Sequence, residues 1–410
     1  MSQPASNVRL RSARHAAGYR SQQELASALG VGVRQIRRWE SENPPWPHPD
    51  LQQALTELLG QDMEALGFTP PAGRDRPDPV RRTLVGATVA AVGLAAVPMQ
   101  SAAAMQPASV AADFEAVTRS HRRLYWSVAP ATLHPAAVAH AALGCALLTE
   151  TSGRTRRTVA SALAESYLLA ARIKFFDLRD GDQAGKTLLL ALQAAGQADD
   201  PLLGSAILAH SAFIPAWAGE RDAAVERMVA ARTYARRGPA SAELWAWLDA
   251  VEAECETRCG NTRTALHLIG HAEDILASGT EHPSPAWMDW FSAVRLAAFK
   301  GNTQLKAGHL PQARTTLLGV LDDLPTTEDK QRTVVYGDLA AVEAAAGNPE
   351  AACEYGRRAL DQLEVTWYAM GMDRVREVRR VLAPHQHKQC VRDLDERLYG
   401  WSTTVSALAR

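Results

Sequence analysis

The sequence predicts an all-α protein made of two bodies, a small N-terminal helical domain and a longer array of helix pairs. Residues 21–41 contain two short helical segments around a glycine-bearing turn, which mark the first body. From about Asp113 onward the chain is rich in alanine and free of strand-like alternation, which indicates that this region is helical. Between the bodies, residues 69–82 are dense in proline, glycine and charge and predict a linker.

Residues 21–41 have the pattern of two helices that pack across a tight turn, as in a helix-turn-helix. Apolar residues recur at helical spacing on both sides of Gly30, and these are Leu25, Ala26, Leu29, Val31, Ile36 and Trp39. The outward positions of the second helix are Val33, Arg34, Gln35, Arg37 and Arg38. Guanidinium and amide groups can read base edges in a major groove. We therefore expect this domain, residues 1–68, to bind double-stranded DNA.

Charge is distributed unevenly within residues 1–68, although the whole chain has a formal net charge of −1. The early part contains one acid, Glu24, and many basic residues, which are Arg9, Arg11, Arg14, Arg20, Arg34, Arg37 and Arg38. The acids that offset them follow later, at Glu40, Glu42, Asp50, Glu57, Asp62 and Glu64. This order predicts a basic face on the domain. We expect its binding to DNA to depend more on individual side-chain contacts than on total charge, and to weaken in part as the salt concentration rises.

The segments LRSARHAAGY, SQQELASALGV, the following helix that ends in Trp39 and Glu40, and LQQALTELLG occur in order over residues 7–68. Together they resemble the XRE type of helix-turn-helix, a phage-repressor fold of about five helices. The resemblance implies that Gln22 contacts a phosphate at the start of the second helix. It also implies that the recognition helix directs side chains to bases, namely Val33, Arg34 and Arg38, with Gln35 and Arg37 nearby.

The same resemblance implies an ion pair between Arg14 and Glu40 that ties the first helix to the recognition helix. Two features depart from the family pattern. Residues 18–21 contain one residue more than the commonest form, and Gly32 stands where a Ser or Thr usually caps the recognition helix. Because glycine has no side-chain acceptor, we expect a slightly weaker cap.

Residues 43–50, NPPWPHPD, are too rich in proline for a helix and predict an ordered loop before a helix over residues 51–59. Trp46 in this loop has two possible roles, a wedge against DNA or packing under the domain, and the second is favoured. The domain is predicted to end near Phe68.

Residues 83–99 form one long apolar run behind a pair of arginines, so an export signal or a membrane anchor must be weighed. The run is diluted by two glycines and is short for a bilayer, which needs roughly 20 residues. It also follows a DNA-binding domain, where an N-terminal signal cannot lie. The sequence therefore favours an apolar helix and connector, residues 83–112, that packs on the second body or on its copy in a dimer.

The second body, residues 113–410, repeats itself. Four glycines each follow a long helical segment, and these are Gly219, Gly260, Gly308 and Gly347. Small residues recur at fixed distances after them, namely Ala224, Ala265, Ala313 and Ala352, then Ala231, Ala272, Val320 and Ala359. Glycine allows a sharp turn between antiparallel helices, and small residues let the second helix lie close to the first. An earlier unit is predicted to turn at Gly181.

This pattern resembles the tetratricopeptide repeat, with a spacing above the usual period of about 34 residues. Such helix pairs stack into an α-solenoid whose concave surface is lined by the first helix of each pair. Counting back from the turns places on or near that surface Phe175, Arg179, Phe213, Trp217, Trp247, Glu254, Arg258, Arg295, Asn302 and Lys306.

Five of these residues, Trp217, Arg258, Arg295, Asn302 and Lys306, are the predicted ligand contacts. Asn302 lies one helical turn from Lys306, at a position where resembling repeats often carry an asparagine that holds a peptide backbone. Cationic and amide groups beside aromatic rings predict an anionic, partly apolar ligand, such as a signalling peptide or a small molecule.

Other kinds of site are not favoured by the sequence. A zinc site from Cys255, Cys259, His267 and His271 would need ligands about 15 Å apart along two helices to converge. His385 and His387 could join Cys390 as metal ligands, but they lie in a predicted polar loop whose sequence does not indicate how the three side chains are arranged. The chain has no glycine-rich phosphate loop and no nucleophile elbow, so we expect no enzyme, no metal and no cofactor. Its five cysteines fit a reducing compartment with free thiols.

These patterns together predict a cytoplasmic, sequence-specific transcription regulator whose repeat domain dimerises and senses a signal. The combination resembles the actinobacterial XRE regulators that carry tetratricopeptide-like C-terminal domains. Two alternatives stay open. The repeats could bind a protein partner permanently, as a scaffold without a ligand switch, or the chain could be a regulator tethered to a membrane through residues 83–99.

Overall fold

The computed structural model describes residues 7–41, 44–47, 49–61, 63, 65–69, 106–279 and 281–408. The chain divides into two compact units, Met1–Gln100 and Ser101–Arg410. Both units are helical, and the described part of the chain contains no strand, so the prediction of an all-α protein is confirmed. The linker predicted at residues 69–82 and the apolar run at residues 83–99 lie almost wholly outside the described residues.

The first unit contains four described helices, α1 (Val8–Ala16), α2 (Gln22–Ala28), α3 (Val33–Trp39) and α4 (Pro49–Leu59). One apolar core joins them, and its buried members are Leu10, Ala13, Leu25, Ala26, Ile36, Trp39, Leu55, Leu59, Met63, Leu66 and Phe68. The sequence pattern identified the contributions of α2 and α3 correctly. Leu29 and Val31 are half-buried against the same core, and Phe68 packs edge-on against Trp39.

Local sequence explains where α2 and α3 begin. Ser21 accepts a hydrogen bond from the backbone of Glu24, and the Glu24 side chain accepts from the backbone of Ser21, so the two residues form a capping box. The sequence analysis missed this box, although Ser and Glu three residues apart are its signature. Gly32 precedes α3 and supplies no side-chain cap, as expected. Gly30 takes a left-handed φ of 66° in the turn between the helices.

The second unit contains fourteen helices in the described residues. They are α5 (Ser109–Leu124), α6 (Pro130–Thr149), α7 (Gly153–Arg172), α8 (Gly181–Ala198), α9 (Pro201–Trp217), α10 (Arg221–Ala235), α11 (Ala242–Arg258), α12 (Thr262–Ser278), α13 (Ala293–Lys306), α14 (Leu310–Asp323), α15 (Asp329–Ala345), α16 (Pro349–Val365), α17 (Ala369–Val381) and α18 (Gln389–Leu408). Five adjacent pairs make the most extensive contacts, α7 with α8, α9 with α10, α11 with α12, α13 with α14, and α15 with α16. This is the helical repeat architecture that the sequence predicted.

The repeated glycines lie in turns of the structure, and the small residues that follow them lie where helices pack closely. The four turn glycines have φ between 79° and 83°, a region that side chains rarely adopt, and these are Gly219, Gly260, Gly308 and Gly347. All eight small residues at the repeated positions are buried between helices. First helices also contact the first helix of the next pair, so the pairs stack in sequence.

The prediction of a turn at Gly181 was wrong. Gly181 is the first residue of α8, and the left-handed residue of this connection is Arg179, with a φ of 60°. The cause is a π-helical turn, Ile173–Asp177, which continues directly from α7 and moves the reversal upstream of the glycine. Asp180 then caps α8 by accepting a hydrogen bond from the backbone of Gln183.

The stack of pairs curves enough for its early and late parts to touch. Lys330, in α15, forms a 2.6 Å ion pair with Asp177 of the π-helical turn. Thr366 donates a 3.4 Å hydrogen bond to the carbonyl of Ser127, and Arg179 pairs with Asp373 of α17. These contacts join the two ends of the array around its concave side.

Helix α6 is the one helix of the described part that is long and apolar enough to cross a membrane, with a hydropathy of 1.4. Part of its surface packs against α5 and α7, at Leu133, Ala137, His140, Ala141, Gly144 and Leu147. A core helix passes the same test as a membrane span, so this helix is weak evidence for membrane insertion. The tether considered at residues 83–99 lies outside the described residues.

Candidate functional site

The exposed face of α3 is the first candidate site. Arg34, Arg37 and Arg38 are exposed, and Val33 and Gln35 are half-buried beside them. Within the part of the chain that the structure describes, the three arginine side chains form no hydrogen bond and no ion pair. Their donors are therefore available to an external partner with acceptor groups.

A buried ion pair fixes α3 relative to α1. Arg14 Nε lies 2.7 Å from Glu40 Oε1, and both side chains are buried. Arg14 also donates to the carbonyls of Tyr19 and Arg20, at 2.9 and 3.1 Å. The ion pair that the family resemblance implied is thus present in the structure. Because an arginine fork is geometrically demanding, this contact sets the direction of α3 as well as its stability.

Gln22 belongs to the same network. Its Nε2 donates a 2.7 Å hydrogen bond to Glu40 Oε2, so the amide nitrogen is occupied in the unbound chain. Its predicted contact with a phosphate stays a prediction. Trp46 is half-buried against the core of the first unit, which favours packing over the alternative of a wedge against DNA.

The second candidate site is a cavity of about 140 Å³ on the concave side of the repeat unit. Its walls come from the connection after α5, the end of α7, the first helices of the later pairs, and α17. Nine of the twenty lining residues are aromatic, namely Tyr125, Trp126, Phe176, Phe213, Trp247, Trp290, Phe291, Phe299 and Tyr368. Polar and charged groups are set among them, from Arg172, His210, Glu254, Arg295, Asn302, Gln331, Asp338 and Arg374.

The structure does not bring the five predicted ligand residues into one groove. Arg295 and Asn302 line the cavity. Trp217 and Arg258 line a neighbouring depression, where the Arg258 guanidinium lies 4.1 Å from the Trp217 ring centre. Lys306 instead forms a 2.5 Å ion pair with Glu377 of α17.

Helix α17 explains this division. It contributes Met370 and Arg374 to both the cavity and the depression. Arg374 Nε lies 3.1 Å from Asp338 Oδ1, so the helix is held across the inner face of the array. Counting positions back from turn glycines could not place α17, because it belongs to no repeated pair.

Asn302 and Arg295 are both buried and largely occupied within the protein. Asn302 Nδ2 donates a 3.1 Å hydrogen bond to Asp338, while its Oδ1 has no partner among the described residues. Arg295 donates to Gln331 at 2.7 Å and lies over the Trp126 ring at 3.5 Å. Burial lowers the pKa of Arg295 to about 10 although Glu328 opposes the shift, and the charge of Arg172 lowers it further.

His210 is a neutral group in the cavity wall. Its Nδ1 lies 2.8 Å from the carbonyl oxygen of Ala206, a contact in which the ring nitrogen must be the donor. Burial, followed by the charge of Arg172, lowers the pKa of His210 to about 3. The ring is therefore uncharged near neutral pH, and Nε2 is left as a hydrogen-bond acceptor.

Several cavity residues escaped the sequence analysis, above all Arg172 and the aromatic pair Tyr125 and Trp126. Arg172 is the last residue of α7, and the pair follows α5 directly. The sequence did contain an indication for Tyr125 and Trp126, because two large aromatic residues lie side by side directly after a helix. Their role as a wall depends on the closure of the array, which no local pattern predicts.

Two of the four residues that the sequence analysis rejected as a zinc site, Cys255 and His271, make other contacts in the structure. Cys255 is buried in the apolar core, and His271 Nδ1 lies 2.6 Å from Asp249 Oδ2. Over the described ranges, no group of three or more His, Cys, Asp or Glu side chains has a geometry that could hold a metal ion.

No protein family model matches this chain, and no curated protein matches it either. The interpretation of residues 7–68 therefore depends on their own pattern, packing and charge.

Proposed function

We propose that the chain is a sequence-specific DNA-binding transcription regulator of the helix-turn-helix class. Within that class it is best described as an XRE-type regulator with a tetratricopeptide-like C-terminal domain. The observation that carries the proposal is the exposed arginine face of α3 on a well-packed core, with the Arg14–Glu40 pair behind it. A rigid helix with free guanidinium groups suits reading of bases in a major groove.

The same proposal gives the repeat unit a sensing role. Its cavity combines aromatic walls with buried charged groups, which is the usual composition of a small-molecule site. Because α17 lies across the inner face, a small molecule fits this site better than an extended peptide. A ligand in the cavity changes the affinity for DNA only if it binds two arrangements of the protein with different affinities. The resulting coupling free energy is typically about 1–3 kcal/mol.

The proposal also includes a homodimer held through the repeat unit. Repressor-type domains gain affinity when two recognition helices are presented about one DNA turn apart. Large apolar side chains are exposed on α5 and α6, at Val117, Leu124, Val138 and Leu143, and suit contact with a second copy. We expect the full chain to be dimeric in light scattering at micromolar concentration, and a monomer would contradict this part of the proposal.

Substitution of Arg34 tests base reading. We expect Arg34→Ala to lose about 1–3 kcal/mol at a cognate duplex, because a bidentate contact to a base is lost. Affinity for unrelated duplexes should change much less. The measurement is fluorescence anisotropy with a duplex recovered by selection from random-sequence DNA and with a scrambled duplex of the same composition.

Gln22→Ala is the comparison for this experiment. Its predicted partner is a phosphate, so this variant should weaken binding to both duplexes to a similar extent. An unchanged ratio of specific to nonspecific affinity in Arg34→Ala would show that Arg34 does not face a base.

A further inference from the structure

Within the described part of the chain, the ion pairs around the cavity leave one cation, Arg172, without a carboxylate partner. Three basic side chains there are matched with carboxylates, in the pairs Lys330–Asp177, Arg295–Glu328 and Arg374–Asp338. Arg172 has no carboxylate within ion-pair distance among the described residues. Asp177 interacts electrostatically with Arg172, but its carboxylate already forms a 2.6 Å ion pair with Lys330. Glu254, the other carboxylate of the lining, is paired with Arg258 at 3.1 Å. Among the described residues, these pairs leave an excess of one positive charge at the cavity wall.

Arg172 is held among aromatic rings. Its guanidinium carbon lies 4.6 Å from the ring centre of Tyr125, 5.4 Å from Trp126 and 5.2 Å from Trp290. Only 8% of the residue is exposed, and its Nε has no hydrogen-bond partner in the described part of the chain. Aromatic faces attract a guanidinium but accept no N–H hydrogen bond of ordinary strength, so the buried Nε donor is unsatisfied. Nη1 and Nη2 form no hydrogen bond within the described residues either.

A buried guanidinium with unsatisfied donors is unfavourable unless an anion completes it. The planar fork of arginine matches a carboxylate, to which it can donate two parallel hydrogen bonds. Arg172 also leads directly into the π-helical turn Ile173–Asp177. Such turns are frequent at functional sites, because they redirect side chains that a regular helix would place elsewhere.

The remaining space sets the size and polarity of the ligand. The cavity volume of about 140 Å³ is close to that of an apolar cavity of roughly 150 Å³ that accommodates benzene. Phe213, Trp247 and Trp290 supply flat apolar walls. A ligand that satisfies both parts of the site has one carboxylate and one compact apolar body.

We propose that this cavity binds a small monocarboxylate whose apolar body is about the size of a benzene ring, with its carboxylate on Arg172. The role of this ligand as an effector rests on the regulator function proposed above, whereas the binding itself does not. The aromatic walls enclose the ring, and Arg172 supplies the charge complement.

Benzoate and benzamide test the proposal on the full-length parent protein, by isothermal titration calorimetry without DNA. The two probes have nearly the same shape, but only benzoate carries a charge. We expect saturable binding of benzoate and at least tenfold weaker binding of benzamide. Equal affinity for the two probes, or no saturable binding of benzoate at millimolar concentration, would overturn the proposal.

Arg172→Met removes the charge and keeps an unbranched side chain, and it should weaken benzoate binding at least tenfold. The matched control is Arg237→Met, because the Arg237 guanidinium also stacks on an aromatic ring, 4.9 Å from the ring centre of Tyr234, but Arg237 does not line the cavity. We expect this control to bind benzoate as the parent does. Benzoate binding that survives in Arg172→Met would remove Arg172 from the site. If that variant does not fold, the comparison of benzoate with benzamide on the parent protein decides alone.

The two proposals can fail separately. Benzoate binding by a chain that binds no DNA sequence would overturn the regulator function and leave the carboxylate site intact. Specific DNA binding by a chain that discriminates no carboxylate from its amide would overturn the carboxylate site alone.

Discussion

Lys330→Met should destabilise the repeat unit by about 3–5 kcal/mol, because it leaves Asp177 as a buried carboxylate without its partner. Both side chains of the pair are completely buried, and they join parts of the chain that are far apart in sequence. Lys330 Nζ also lies 3.9 Å from the Tyr125 ring centre, so the substitution removes a cation–π contact as well. The free energy of unfolding from urea titration measures the effect.

Two further variants show whether the unpaired charge is the cause. The double variant Lys330→Met with Asp177→Leu removes both charges and should recover a large part of the loss. Lys388→Met breaks an exposed pair with Glu350 and should cost less than about 1 kcal/mol. If Lys330→Met lowered the free energy of unfolding as little as Lys388→Met does, the Lys330–Asp177 pair would not be what closes the array.

Gly337→Ala and Gly371→Ala should each destabilise the repeat unit by about 1–3 kcal/mol, because α15 and α17 approach too closely for an added methyl group. A Cβ atom at Gly337 would lie 2.5 Å from Cβ of Arg374, and one at Gly371 would lie 2.3 Å from Cγ2 of Thr333. At these distances either α17 or the side chains of Arg374 and Thr333 must shift to make room for the added methyl group. Thermal unfolding followed by circular dichroism measures the change.

Gly319→Ala is the matched control for these glycine variants. Gly319 is also within a helix, but apart from its chain neighbours and the backbone of its own helix, no atom lies within 4 Å of its added Cβ. Alanine is a better helix former than glycine by about 1 kcal/mol, so this variant should be at least as stable as the parent. If Gly337→Ala were as stable as Gly319→Ala, the close packing of α17 against α15 would be disproved.

The features that the sequence predicted correctly are those with local causes. A glycine in a left-handed turn and small residues at fixed distances after it require only neighbouring helices, and Gly260 with Ala265 and Ala272 shows this. The helical spacing of Leu25, Ile36 and their neighbours likewise identified the core of the first unit. The exception was Gly181, where a π-helical turn moved the reversal to Arg179.

The features that the sequence did not predict depend on distant contacts. The cavity exists because the array curves until Asp177 meets Lys330, a separation of 153 residues. Arg179 and Asp373 are separated by 194 residues, and both belong to connections or helices outside the repeated pattern. A helical period predicts which face of a helix is buried but not which distant helix covers it. For this reason Arg172 and α17 were found only in the structure.

The affinity of the full-length chain for a duplex selected from random-sequence DNA tests the regulator function most directly. The triple variant Arg34→Ala, Arg37→Ala, Arg38→Ala should bind this duplex at least about a hundredfold more weakly, since each base contact contributes about 1–3 kcal/mol. A control with the same change in charge, Arg154→Ala, Arg157→Ala, Arg263→Ala, alters exposed residues of the repeat unit and should bind within about threefold of the parent. A parent protein that enriches no sequence, or a triple variant of α3 that binds as tightly as the control, would contradict the proposed function.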